Sequence, residues 1–245
     1  MSCEGRRFDL KRRAAAEAVG TAFLVAAVVG SGITGERLAS GDAALALLAN
    51  SLATGAALVC LILTFGPVSG AHFNPVVTLA DASQRGITRR AAALYVAAQV
   101  SGAFVGVAVA NVMFGERLFA ASGRVRAGGA QVFGEFVATA GLMSVVWGCA
   151  RTQRAPVAAF AVAAYITAGY WFTSSTSFAN PAVTLARTAT DTFTGIRAAD
   201  APAFVAAQLA GGAAATLFFR WLVPALPESA DRVVVPRAGD EEVRR

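Results

Sequence analysis

Six long stretches of the sequence contain no charged residue, and this pattern constrains the fold more than any other feature. They are residues 18–35, 43–71, 91–115, 136–150, 155–186 and 201–219. A helix of about 20 apolar residues crosses the ~30 Å hydrocarbon core of a bilayer. The chain is 56% hydrophobic and 15% charged, whereas soluble domains carry about 25% charged residues. The sequence therefore predicts an all-α membrane protein with six transmembrane helices.

The charged residues lie between these stretches, and their distribution indicates the topology. Lys and Arg are concentrated before the first stretch, between the second and third, between the fourth and fifth, and near the C-terminus. By the positive-inside rule, residues 1–13 and 223–245 are predicted to be cytoplasmic tails. The net charge of +6 lies at loop ends without a groove-reading fold, so no nucleic-acid partner is expected. Three scattered cysteines and one histidine indicate neither a metal site nor a cofactor.

A short motif, Asn-Pro followed by a helix-forming segment, occurs twice. Residues 71–80 read AHFNPVVTLA and residues 177–187 read SFANPAVTLAR. Proline directly after asparagine suits the first position of a helix whose N-cap is that asparagine. The segments 74–84 and 180–190 each contain about 11 residues, which at ~1.5 Å per residue span roughly 16 Å, half a bilayer. Each motif therefore predicts a re-entrant half-helix.

The two motifs belong to an internal repeat. Glu17 and Glu135 each open an apolar stretch, and both halves have the order stretch, stretch, motif, stretch. Because three crossings are an odd number, the second half is predicted to lie inverted relative to the first. We expect one channel domain over residues 14–222, built from inverted repeats 14–114 and 131–222. In such a domain the two half-helices meet near the bilayer midplane and share one polar site.

These features together resemble the aquaporin and aquaglyceroporin family over about residues 14–222. The resemblance implies a homotetramer with one pore in each subunit, in which the asparagines of both motifs donate to passing solutes. It implies a passive channel, and not an enzyme, in a bacterial plasma membrane, with the lipid bilayer, water and small uncharged solutes as its partners. The motif residues are Asn74, Pro75, Val76, Asn180, Pro181 and Ala182. Two helix N-termini aimed at the midplane would each place roughly half a positive charge there, which opposes cations and protons.

The resemblance also locates the pore constriction, where the sequence departs from the family. Family members commonly carry an arginine directly after the second Asn-Pro-Ala, and this chain has Val183 there. Counting back from each asparagine in the family pattern places the other constriction positions at Thr54, at Ala168 or Gly169, and at Ser177. We expect a wide, arginine-free constriction that passes glycerol-like solutes. A branch linked to arsenic handling adds metalloid acids such as arsenite, and methylated arsenicals. The alternative is a strict water channel.

Arg187 and His72 each have two interpretations. Arg187 comes one helical turn after the expected arginine position, so it either projects into the outer vestibule or pairs with Asp191 or Asp200 in the outer loop. His72 is the only histidine, and it either bonds within its loop and lines the cytoplasmic vestibule or acts as a protonation gate at about pH 6. Val76 stands where alanine is usual, which favours a packing role over a role in selectivity.

Glu17 and Glu135 are ionisable groups at the edge of apolar stretches, and such residues are functional candidates. In a proton-coupled secondary transporter they would carry protons. The resemblance implies instead that they accept backbone N–H groups of the re-entrant loops, and their matching repeat positions favour this loop-supporting role. No further intramembrane carboxylate is expected to accompany them, which favours a channel over a coupled transporter.

Overall fold

The structure, a computed structural model, describes residues 8–150 and 155–223. Its helices are α1 Leu10–Leu38, α2 Ala43–Ser69, α3 Pro75–Ser83, α4 Arg89–Met113, α5 Gly129–Ala150, α6 Ala155–Phe172, α7 Pro181–Ala186 and α8 Ala201–Leu222. The described residues contain no strand. Five helices, α1, α2, α4, α5 and α8, are long and apolar enough to cross a membrane, and α6 contributes a shorter apolar helix over Val157–Phe172. The prediction of an all-α membrane protein with six spans and two half-helices is confirmed.

The half-helices are shorter than the sequence predicted. Helix α3 has nine residues and α7 has six. A 3-10 turn, Arg187–Ala189, continues α7 for three residues, so the predicted segment 180–190 is helical only over part of its length. Proline stands at the first helical position of both half-helices, where its missing N–H costs no hydrogen bond. Of the predicted N-terminal tail, residues 8 and 9 precede α1 and residues 10–13 form its first turn. Residues 1–7, like the predicted C-terminal tail after Val223, lie outside the described residues.

Side-chain caps fix where the longer helices begin. Asp9 caps α1 by accepting the N–H of Arg12 at 2.8 Å, and Asp42 caps α2. Thr88 caps α4 in the same way. Helix α2 ends at Ser69, and its C-cap Gly70, with a φ of 91°, turns the chain into the loop before α3. These caps satisfy backbone donors that the helices themselves cannot pair.

The order of elements repeats, and so does their packing. Helix α1 packs along α4 in the first half, as α5 packs along α8 in the second. Helices α2 and α6 join the two halves. Each half-helix contacts α4 and α8, one helix from each half, so both half-helices lie between the repeats. The residues that the two loops carry are therefore brought to the centre of the bundle.

Glycine allows the closest helix contacts. A Cβ on Gly102 of α4 would lie 2.9 Å from the carbonyl carbon of Ala18 in α1. At Gly211 of α8 a Cβ would lie 3.2 Å from the carbonyl carbon of Phe136 in α5. Both neighbours are backbone atoms, which cannot rotate away. Small residues that let helix backbones approach are typical of helix packing in membranes.

The Gly102→Ala and Gly211→Ala variants are each expected to destabilise the protein by about 1–3 kcal/mol, because the paired helices must separate to admit a methyl group. Thermal unfolding in detergent measures the effect. Gly148→Ala in α5 is the matched control, since a Cβ there meets no atom within 4 Å. Alanine is the better helix former, so this control is expected to unfold no earlier than the parent. Equal unfolding temperatures for Gly102→Ala and Gly148→Ala would contradict the packing argument.

Candidate pore

The N-termini of the two half-helices meet through a reciprocal pair of hydrogen bonds. The Nδ2 of Asn74 donates to the carbonyl oxygen of Ala179 at 2.8 Å, and the Nδ2 of Asn180 donates to the carbonyl oxygen of Phe73 at 2.7 Å. Each Oδ1 also caps its own half-helix, accepting the backbone N–H two residues later at 2.9 and 3.0 Å. An amide nitrogen carries two N–H groups, so each asparagine has a second donor beyond these bonds.

The loops before the half-helices have the same strained backbone. Positive φ angles occur at equivalent places: Gly70 (91°), Ala71 (49°) and Phe73 (48°) in the first loop, and Thr176 (62°), Ser177 (51°) and Ala179 (47°) in the second. Residues other than glycine rarely adopt this left-handed region, and they do so where surrounding contacts hold them. The repeat therefore extends to the individual backbone angles that shape the meeting point.

The first loop is held by Glu17 of α1, which is fully buried. Its Oε1 accepts the hydroxyl of Ser69 at 2.6 Å and the backbone N–H of His72 at 2.9 Å. Its Oε2 accepts the backbone N–H of Phe73 at 2.7 Å and the side-chain amide of Gln99 at 2.8 Å. Four donors thus converge on one carboxylate, so burial of this charge is compensated by hydrogen bonds.

The second loop is held in the same manner by Glu135 of α5. Its two oxygens accept the backbone N–H groups of Phe178 and Ala179, both at 2.9 Å. The side-chain amide of Gln208 donates to it at 2.6 Å and also to the hydroxyl of Thr184 in α7 at 2.8 Å. Each half of the bundle therefore uses a carboxylate, a glutamine and a half-helix threonine to fix its loop.

A single cavity passes both asparagines and extends to His72 on one side and Arg187 on the other. The cavity volume is about 70 Å³. Much of its wall is aliphatic: Leu24, Val28, Leu58, Ile62, Leu142, Val146, Val162 and Ile166. Polar atoms reach it mainly from the two loops. A solute that enters this cavity would lose its surrounding water and contact apolar walls, with only a few hydrogen-bond donors pointing toward it.

The structure places three of the predicted constriction residues, Thr54, Ser177 and Val183, on the cavity wall. It does not place Ala168 or Gly169 there. Ala168 is exposed on the far side of α6, and Gly169 packs so closely on Ser177 that a Cβ would lie 2.8 Å from that side chain's Cβ. Neither of the two α6 candidates therefore lines the cavity, and their assignment to the constriction stays a prediction.

Tyr170 is the α6 residue that lines the cavity instead. Its hydroxyl lies 3.1 Å from the Oγ1 of Thr54, so the two side chains form a hydrogen bond across the cavity wall. Val162, Ile166 and Tyr170 recur every four residues, the spacing of one helix face. That periodicity is visible in the sequence and would have identified Tyr170.

Arg187 is 3% exposed and lines the cavity beyond Val183. Its guanidinium carbon stacks 3.4 Å from the ring centroid of Phe178, and its Nε donates to the carbonyl oxygen of Thr194. Among the described residues neither Asp191 nor Asp200 forms an ion pair with it. Asp191 accepts a backbone N–H instead, and Asp200 pairs within the loop before α8. The pairing that the sequence left open is therefore not formed.

A second arginine stacks on the same ring. The guanidinium carbon of Arg126, in the loop between α4 and α5, lies 5.0 Å from the centroid of Phe178. Its Nε donates to the carbonyl oxygen of Gly195 at 2.8 Å. Burial lowers the pKa of Arg126. No local spacing in the sequence marks Arg126 or Phe178, because their contact joins two loops that are distant along the chain.

At the opposite end the cavity is lined by His72, which contacts a buried acid behind it. The Nδ1 of His72 lies 3.1 Å from the Oγ1 of Thr78, and its Nε2 lies 3.5 Å from a carboxylate oxygen of Asp81. Asp81 is fully buried in α3. The expectation of no further intramembrane carboxylate was therefore wrong. Asp81 lies outside the six charge-free stretches, yet the half-helix carries it into the protein.

Comparison with known proteins agrees with this geometry. The family model described as major intrinsic protein matches residues 4–168. This chain belongs to the major intrinsic protein family. It is 53% identical over 223 residues to the aquaglyceroporin AqpS of Rhizobium meliloti (strain 1021), covering 91% of this chain and 95% of that protein. It is 36% identical over 143 residues to nodulin-26 of Glycine max, covering 57% of this chain and 51% of that one.

The solved structures include one with the same fold. The aquaglyceroporin from Plasmodium falciparum superposes with a TM-score of 0.68 at 18% sequence identity, covering 89% of this chain and 99% of that one. Members of the major intrinsic protein family are membrane channels and not enzymes. Within the described residues there is no group of three or more His, Cys, Asp or Glu that could hold a metal ion.

Proposed function

We propose that this protein is a passive channel for water and small uncharged solutes, and that the cavity between His72 and Arg187 is its conduction path. The meeting of both half-helix N-termini, with Asn74 and Asn180 on the wall of one cavity, carries this proposal. The second amide N–H of each asparagine would donate to a passing oxygen. Similarity to a bacterial aquaglyceroporin supports a membrane channel. We further propose a homotetramer with one pore in each subunit and, from the distribution of Lys and Arg, both termini on the cytoplasmic side of a bacterial plasma membrane.

Ion exclusion in this proposal has three sources. Two helix N-termini direct partial positive charge toward the centre of the path. Arg187 adds a full positive charge at one end, held by its stacking on Phe178. The aliphatic walls cannot replace the water that an ion loses on entering, so its desolvation is unfavourable. Glu17 and Glu135 do not line the cavity, and loop donors occupy their oxygens, so they offer no ligand to a passing cation.

The constriction in this proposal admits solutes larger than water. Val183 and Ser177 are small, and the hydroxyl of Thr54 is hydrogen-bonded to that of Tyr170. The guanidinium of Arg187 lies one helical turn beyond Val183, so a solute meets it at the mouth of the path. We therefore propose glycerol-like solutes and undissociated metalloid acids such as arsenite, together with methylated arsenicals. Gly169, although it does not line the cavity, admits the side chain of Ser177 beside α6.

Two other functions have a specific observation in their favour. Tyr170 and Arg187 both narrow the cavity with polar groups, as a strict water channel would require. The buried pair of His72 and Asp81 is a proton-binding arrangement, as a proton-coupled transporter would require. We favour the passive solute channel over both for two reasons. Much of the cavity wall is aliphatic, and the carboxylates of Glu17 and Glu135 are hydrogen-bonded to donors of the loops.

Stopped-flow swelling of proteoliposomes with water, glycerol, urea and arsenite tests the proposal. We expect water, glycerol and arsenite to enter faster than in protein-free vesicles, with a rate that rises linearly with solute concentration. Water permeation without glycerol permeation would identify a strict water channel. Accumulation driven by a proton gradient would identify a transporter, and appreciable ion current across planar bilayers would contradict the ion-exclusion argument.

A further inference from the structure

Arginines from three separate segments line one open pocket at the end of the molecule where α1 and α4 begin. We call it the arginine pocket; it is lined by Arg13 of α1, Arg85 and Gly86 of the α3–α4 turn, and Thr88 and Arg89 at the start of α4. Among the described residues, no Asp or Glu lines it, and none of its three arginines forms an ion pair. An uncompensated cluster of guanidinium groups attracts phosphate-type anions.

One of these arginines is fixed in position. The Nε of Arg13 donates to the hydroxyl of Tyr95 at 2.7 Å, and its guanidinium carbon lies 5.3 Å from the centroid of that ring. Tyr95 in turn donates to the carbonyl oxygen of Ser69 at 2.9 Å. The Nη2 of Arg13 is buried and has no hydrogen-bond partner in the described chain. Buried donors are normally paired, so this one lacks an acceptor that a ligand would supply.

An apolar cleft continues from the arginine pocket. We call it the α3–α8 cleft; its wall includes Val76, Leu79 and Ala80 of α3 and Leu209, Ala213 and Leu217 of α8. Leu79 lines both the pocket and the cleft, so the two are contiguous. Leu79 is 47% exposed and Leu217 is 64% exposed, as expected of side chains that face lipid. One site therefore has a basic end and an apolar end.

We propose that the arginine pocket and the α3–α8 cleft together bind one anionic phospholipid, with its phosphate in the pocket and an acyl chain along the cleft. A basic pocket between membrane helices suits an anionic headgroup, and a free phosphate would make no use of the apolar cleft. The pocket lies at the membrane face that the positive-inside rule assigns to the cytoplasm, where anionic lipids add to the attraction.

The proposal also gives Val76 a role that the pore does not. Val76 packs against Gly212 of α8 at the deep end of the cleft, where a Cβ on that glycine would overlap its Cγ1. Its neighbour Asn74 caps α3 and reaches the cavity. An acyl chain in the cleft would therefore contact the half-helix that carries the first motif, from the side facing lipid.

Native mass spectrometry of the detergent-purified protein, titrated with phosphatidylglycerol, tests the site. Arg85 is exposed, so Arg85→Gln is expected to fold normally and to weaken lipid binding about fivefold, the factor for the ~1 kcal/mol that one basic residue contributes. Adding Arg89→Gln is expected to weaken binding further. Arg117→Gln is the matched control, an exposed arginine beyond the opposite end of α4, and it is expected to leave binding unchanged.

Three further arms identify the ligand. Ala213→Phe fills the exposed part of the cleft and is expected to weaken phosphatidylglycerol binding with every arginine in place. Phosphatidylcholine is expected to bind more weakly than phosphatidylglycerol to the parent. Inorganic phosphate is expected to displace the lipid poorly. Equal losses in Arg85→Gln and Arg117→Gln, full binding by Ala213→Phe, or complete displacement by inorganic phosphate would each overturn the proposal.

Discussion

The Glu17→Gln variant is expected to lose about 3 kcal/mol or more of folding free energy, because a glutamine cannot accept the four donors that the carboxylate accepts. One amide oxygen can serve two of them. The NH₂ group that replaces the other oxygen faces two donors, either the hydroxyl of Ser69 with the N–H of His72 or the N–H of Phe73 with the amide of Gln99. Thermal unfolding in detergent, read with size-exclusion chromatography, measures the loss.

A surface carboxylate provides the control for this prediction. Glu36 forms its ion pair with Arg124 at partly exposed positions, and such pairs contribute about 0–1 kcal/mol. Glu36→Gln is therefore expected to unfold close to the parent temperature. Glu135→Gln should resemble Glu17→Gln, since its carboxylate accepts two backbone N–H groups and an amide. A Glu17→Gln protein as stable as Glu36→Gln would mean that the first loop holds its shape without the carboxylate.

The fold could be predicted because its main signals are local or periodic. Charge-free length determines which segments cross the bilayer, and Asn-Pro determines where a half-helix begins. The residues at which the half-helices end were harder to predict from the sequence. Helix α7 gives way to a 3-10 turn at Arg187, where the side chain turns to stack on Phe178 and bond to Thr194. That ending depends on tertiary contacts, which neither propensity nor spacing records.

The cavity lining could be predicted only in part. Thr54, Ser177 and Val183, which were located by counting from the motif asparagines, lie on the cavity wall. The same counting did not identify Tyr170, which lies beyond a loop with three left-handed residues, whereas its spacing from Val162 and Ile166 would have identified it. Asp81 was missed because a carboxylate in a half-helix lies outside any charge-free stretch. Both errors arise where the chain re-enters the protein.

The inverted repeat makes the two ends of the cavity comparable. His72 and Phe178 each stand two residues before a motif asparagine, and Asp81 and Arg187 each stand seven residues after one. In both halves these two positions contact each other, as an imidazole with a carboxylate at one end and as a ring with a guanidinium at the other. Equivalent positions of the repeat therefore place a carboxylate behind one end of the cavity and a guanidinium on the wall of the other.

The Val183→Arg variant is expected to lower glycerol and arsenite permeability by at least about tenfold, since pore diameter and lining charge decide what passes. Val183 is 5% exposed and lines the cavity, so a longer side chain there must enter the path. The new guanidinium would lie one helical turn from Arg187, whose stacking on Phe178 keeps it from moving aside. Water, which is smaller and donates as well as accepts, is expected to be affected less. Stopped-flow light scattering on proteoliposomes of matched protein content measures all three solutes.

Val183→Leu separates size from charge in this experiment. Leucine adds one methylene and no donor, so it is expected to reduce glycerol permeability modestly and to leave the ratio of water to glycerol nearly unchanged. Val183→Arg is expected to raise that ratio, because only the guanidinium both fills the path and supplies donors to water. Unchanged glycerol and arsenite permeability in Val183→Arg would show that solutes do not pass this face of α7. The conduction path would then have to lie away from the two asparagines.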